Sequence, residues 1–167
     1  MKKTIVLFSL CLTINALKAQ SLLTKDSLDF VFKETLAKSR NAVSDATNNW
    51  RYDNSKDDYF TQDTIILNTA RSYKMNYCNG VNWSFYREKR FILEFTQYCN
   101  EPPTKLISKK EDYMRLQIKQ KSSKFYLRLV NKNGLSDQFE ILDLKRNTAL
   151  SNGESAFDYT IVLLRHK

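Results

Sequence analysis

The 167-residue sequence predicts a mainly β fold: an antiparallel meander of eight or nine strands, closed or partly closed into a barrel, with one N-terminal α-helix after a signal peptide. Three observations carry this expectation. Apolar residues alternate with a period of two in Tyr73-Met75-Tyr77, Phe91-Leu93-Phe95, Met114-Leu116-Ile118 and Phe125-Leu127-Leu129, the spacing that turns one face of a strand toward a core. Breaks at Lys121-Ser122-Ser123, Asn131-Lys132-Asn133-Gly134 and Asn152-Gly153-Glu154-Ser155 supply residues suited to tight turns. No helical pattern interrupts the strands, so neighbours pair in sequence, and closing the sheet disposes of its exposed edges.

The elements follow in order. Lys2 and Lys3, the apolar run from Ile5 to Leu17 and Ala19 before Gln20 read as a signal peptide over 1–19, because the run is shorter than the roughly 20 residues of a spanning helix. Cys11 follows Phe8-Ser9-Leu10 rather than small residues, which argues against a lipid anchor. Residues 20–63 then hold a helix and an aromatic-containing loop. Leu28, Phe32 and Leu36 recur at four-residue steps, which predicts a helix from about Asp26 to Val43, capped by Asp26 or Ser27. The polar stretch 41–63 predicts loop anchored by Trp50, Tyr52, Tyr59 and Phe60. The barrel is expected over 64–167, with strands at 64–69, 71–77, 82–87, 90–98, 112–120, 124–130, 137–143, 147–150 and 157–165. Pro102-Pro103 keeps the gap between 100 and 110 out of any interior strand.

Cleavage after Ala19 removes Lys2, Lys3 and Lys18 from 27 basic residues, leaving 24 against 18 acidic ones. The charge is scattered through alternating segments, the pattern of solvated strand faces, with a net positive field that favours anionic envelope surfaces. Cys78 and Cys99 are an even pair in an exported chain, which predicts a disulfide. A two-residue turn at Glu88-Lys89 places Cys78 directly opposite Cys99, in pairs whose numbers sum to 177. Keeping Trp83, Phe85, Phe91, Leu93 and Phe95 on one face requires a sum of 178 instead, and a bulge at Gly80 would reconcile the two.

Trp83 to Phe91, Tyr113 to Leu116, Phe139 to Leu144 and Tyr159 to Arg165 resemble, in kind and order, the strands of small exported lipocalin-like bacterial domains, over roughly 71–167. The resemblance implies a non-enzymatic domain that binds a small apolar ligand or a partner at its open end. The Gly-x-Trp triplet common near the first strand of such barrels is absent; Trp50 follows Asn49, and Trp83 follows Val81-Asn82. Tyr73, Tyr77, Trp83, Phe85 and Phe95 line a cavity if the barrel is open, and fill a core if it is solid.

Candidate catalysts are few. The single histidine, His166, sits next to the C-terminus, which removes serine and cysteine nucleophiles paired with histidine as well as histidine-rich metal sites. Asp57-Asp58, Glu111-Asp112 and Asp143 read as solvated loop charges, and Lys56 within the acidic stretch argues against calcium. The sequence therefore predicts no catalytic residue, no metal and no cofactor. Its expected partners are a small apolar ligand or an envelope component, not nucleic acid. The alternative is a structural or interaction module with a basic face for anionic envelope surfaces or another protein, secreted or periplasmic in either case.

Overall fold

The structure, a computed structural model, describes residues 23–36, 49–69, 77–101, 104–105, 109–151 and 154–166. The expected leader over 1–19, Tyr73 and all but the last residue of the strand expected over 71–77 lie outside the described residues. Helix α1 spans Lys25–Glu34; the strands are β1 Trp50–Asp53, β2 Thr64–Thr69, β3 Asn79–Arg87, β4 Arg90–Gln97, β5 Thr104–Lys105, β6 Tyr113–Lys121, β7 Lys124–Asn131, β8 Gly134–Ser151 and β9 Glu154–Arg165. Eight of them close an antiparallel barrel in the order β1-β2-β9-β8-β7-β6-β4-β3, with β3 returning to β1. The two-residue β5 pairs with β4 alone, outside the ring.

Strands β6 to β9 form the expected meander. Strand β1 departs from expectation, because Trp50–Asp53 falls in the stretch read as loop. Four residues are too few to display a period. Pairing on both sides makes them a strand, with Trp50 opposite Thr69 of β2 and Trp83 of β3. Since β1 runs antiparallel to both neighbours, β2 and β3 are parallel to each other rather than hairpin partners. The separate strands expected at 137–143 and 147–150 are one strand, β8, whose register on β9 shifts between Ile141 and Asp143. That shift keeps Phe139, Ile141 and Leu144 all inward and leaves Leu142 exposed.

Helix α1 starts one residue earlier than expected and ends at Glu34, and residues 37–43 of the helix expected to reach Val43 lie outside the described residues. Thr24, not Asp26 or Ser27, is its N-cap, and the Thr24 hydroxyl accepts from the Ser27 amide at 3.1 Å. At the other end Thr35 donates to the Phe32 carbonyl and accepts from the Trp50 indole nitrogen at 3.2 Å, so the helix stops at Glu34. Leu28, Val31 and Phe32 are buried, with the Phe32 ring 5.5 Å from both Trp50 and Phe85. Lys89 pairs with Asp29 at 2.9 Å and ties the helix to the β3–β4 turn. The helix thus lies at the end of the barrel where Trp50 meets Tyr159.

The β3–β4 hairpin resolves the register differently from either expectation. Its turn has two residues, with Arg87 opposite Arg90, but from Phe85 opposite Phe91 to Asn79 opposite Gln97 the paired numbers sum to 176. The extra residue is Tyr86, so the bulge sits there and not at Gly80. It restores Val81, Trp83 and Phe85 to the inward face. Beyond the ladder the Tyr98 amide donates to the Cys78 carbonyl at 2.7 Å, and Cys78 and Cys99 form the disulfide with Cα atoms 5.0 Å apart. Gly80 is required there for space, since a Cβ would stand 2.8 Å from the Tyr98 ring.

Candidate functional site

Trp83 and Phe85 point inward, as expected of cavity-lining residues, but the space around them is filled. Trp83 stacks on Phe91 with centroids 4.9 Å apart and touches Phe139 at 6.1 Å. Phe85 packs on Phe91 at 5.1 Å. Trp83 and Phe85 are 0% and 2% exposed. Phe95 is half-buried against Phe60, and Tyr77 meets Tyr98 edge-on at 6.0 Å over Gly80. The structure therefore joins Trp83 and Phe85 through Phe91, packs Phe95 against the edge of the same core, and places Tyr77 with Tyr98 beside Gly80.

The far end of the barrel is closed by Tyr59 and Arg165. Within β9 the six steps from Tyr159, beside α1, to Arg165 span about 20 Å between the two ends. The Trp83 indole donates to the Tyr59 hydroxyl at 2.8 Å. Arg165 donates from Nη1 to the carbonyls of Tyr59 and Gln62 and from Nε to Asp137 at 2.9 Å. Its guanidinium lies 5.4 Å from the Tyr59 ring centroid and 5.0 Å from that of Phe139. Burial raises the Asp137 carboxyl above the usual range, and the Arg165 charge opposes that rise. Arg165 sits within the sequence segment that carries the resemblance, but only the fold brings Tyr59 beneath it.

The acidic candidates are dispersed rather than gathered. Asp58 accepts from the Tyr52 hydroxyl at 2.7 Å and from Gln62, and the Tyr52 bond holds it below the usual carboxylate range. Asp57 adopts a left-handed turn conformation at φ 53°. Asp112 accepts from the Lys109 amide, Glu111 pairs with Lys132 at 2.6 Å, and Asp143 pairs with Lys145. His166 stands 3.5 Å from Glu140. Among the described residues no three His, Cys, Asp or Glu side chains converge as metal ligands, and no helix is long and apolar enough to cross a membrane.

A different cluster emerges on the outer wall. Arg90 is directly opposite Arg87 on one side and Arg115 on the other, so three guanidiniums stand in a row across β3, β4 and β6. All three are exposed. Like charges in direct cross-strand register oppose one another by several tenths of a kcal/mol per pair. Of the acids around the row, Glu94 bonds the Ser84 hydroxyl and Glu111 pairs with Lys132, while Glu88 lies exposed in the turn between Arg87 and Arg90, outside the cross-strand register. Tyr86 and Tyr113 frame the row, their rings 6.1 Å apart at 71° and 41% and 47% exposed. Between them lies an open recess of about 370 Å³ lined also by Arg90, Arg115, Met114 and Val130. The bulge makes this possible, because strict alternation would turn either Tyr86 or Arg87 inward, whereas both are exposed. Sequence reading missed the cluster; the only signal was the alternation of Tyr and Arg in Tyr86-Arg87 and Tyr113-Met114-Arg115.

The fold and this cluster define a closed eight-stranded antiparallel barrel with a basic, aromatic outer recess. Comparison with protein-family models, with curated proteins and with solved structures finds no match to this chain.

Proposed function

We propose that this chain is an exported lipocalin-like interaction module, not an enzyme, and that the outer wall of β3, β4 and β6 engages anionic envelope material. The observation that carries the reading is the row Arg87, Arg90 and Arg115, unopposed by acid in direct cross-strand register. A disulfide between Cys78 and Cys99 supports an oxidising compartment, and the filled interior around Trp83 directs attention to the outside of the barrel. Protein purified from its host is expected to bind a polyanion such as dextran sulfate with an affinity that falls steeply as salt rises. Replacing Arg87, Arg90 and Arg115 with Gln should weaken binding at least about tenfold. A control carrying Gln at Lys25, Lys33 and Lys56 loses the same charge and should bind within about twofold of the parent. Equal loss in both variants would reduce the effect to net charge and sink the reading.

Binding of a small apolar ligand has one observation in its favour. A recess of about 100 Å³ between α1 and the barrel, room for a small fragment only, is lined by Phe30, Val31, Leu144 and Tyr159 with Ser27 and Arg146 at its polar side, and Phe30 is half exposed. Native mass spectrometry of the host-purified protein tests it, since a bound ligand adds a discrete mass.

A further inference from the structure

We infer that the recess between Tyr86 and Tyr113 is a binding site for an acidic sugar, a pyranose ring bearing a carboxylate or phosphate. The inference rests on the basic-face reading above and specifies its ligand. Two tyrosine rings meeting at 71° form a corner rather than a parallel slot. A flat base is gripped best between parallel faces, whereas a puckered pyranose presents C–H bonds in several directions to the negative faces of aromatic rings. The volume of about 370 Å³ lies within the roughly 300–1,000 Å³ of small-molecule sites.

The charged groups fit the same ligand. Arg90 and Arg115 both line the recess and stand directly opposite each other, so a carboxylate or phosphate on the ring would relieve their repulsion by accepting bidentate bonds from either. Asn131 closes one side. Its amide donates to the Glu111 backbone carbonyl at 3.2 Å, and the Glu111 carboxylate is paired with Lys132. A membrane surface is disfavoured because the arginines and tyrosines border a concavity on the barrel wall.

Titration calorimetry tests this with four probes: oligogalacturonate, neutral dextran, inorganic polyphosphate and single-stranded RNA. The expected result is that oligogalacturonate binds, dextran does not, and Tyr86→Leu or Tyr113→Leu weakens oligogalacturonate at least about tenfold while leaving polyphosphate unchanged. Tyr86→Phe should retain binding, because the ring and not the hydroxyl is used. A phosphorylated hexose titrated beside galacturonate distinguishes a phosphate-bearing sugar from a uronate. If both Leu variants bind oligogalacturonate as the parent does, the sugar site is overturned while the basic-face reading stands. If no polyanion binds at all, both fail. RNA binding that is lost in the Leu variants, without oligogalacturonate binding, would assign the site to nucleic acid and overturn the sugar. Unchanged thermal unfolding of each variant confirms that the fold is intact.

Discussion

Arg165 donates from Nη1 to the Tyr59 carbonyl at 2.8 Å while its guanidinium lies over the same residue's ring. One residue at the end of the last strand thereby fixes a loop more than a hundred positions earlier and covers that end of the core. The Nε hydrogen goes to Asp137. Replacing Arg165 with Met should destabilise the protein by about 3 kcal/mol, because it strands the partly buried Asp137 and frees the Tyr59 and Gln62 carbonyls. Adding Asp137→Asn should recover part of the loss, which a urea-unfolding double-mutant cycle measures. Additive losses would show that the two side chains do not act together.

Tyr59→Phe isolates one hydrogen bond in the core. The Trp83 indole has the Tyr59 hydroxyl as its partner, and both residues are buried. Removing the hydroxyl leaves a buried N–H unsatisfied, at a cost of about 1–3 kcal/mol. The unfolding midpoint in urea should fall with an unchanged slope, as expected when compactness is retained.

The Cys78–Cys99 disulfide closes a segment with a sequence separation of 21. Loss of chain entropy in the unfolded state predicts that its removal by paired Ser substitution costs about 3 kcal/mol. Peptide mapping without reductant should recover the two cysteines as one linked peptide, and thermal unfolding with and without reductant should show the difference. An unchanged midpoint would mean that the β3–β4 ladder alone sets the hairpin.

Alkaline pH should destabilise the barrel through its buried tyrosines. Burial, reinforced by a bond to Glu34, pushes the Tyr159 phenol up to about 12, and burial likewise raises Tyr52 and Tyr59. The unfolded chain releases these protons near pH 10, so between that value and about 12 the folded state holds more protons. Stability from these groups is fully present below pH ~10 and is lost as pH rises. Tyr159→Phe should flatten this fall, as followed by tyrosinate absorbance and circular dichroism together.

Much of the barrel was legible locally. The period-two runs in β4, β6 and β7 and the turn residues between β6 and β7 are properties of short segments, so the sequence alone located them. The candidate site was not. Tyr86 and Arg87 look like one inward and one outward residue until the hairpin pairs, and the bulge exists only because a two-residue turn must be reconciled with the inward set Val81, Trp83 and Phe85. Arg115 joins Arg90 only when β6 docks on β4, across the gap that contains the two prolines.

The sequence by itself located the alternating strands β4, β6 and β7, paired the two cysteines and scattered the positive charge, because alternation, cysteine count and composition are read without knowing how distant segments meet. Tertiary structure decided that Trp50–Asp53 is a strand, that Trp83 and Phe85 are filled core, and that three arginines align beside two tyrosines. Those outcomes depend on pairing between distant segments, where hydrogen-bond register and the need to exclude water from one face outweigh local preference.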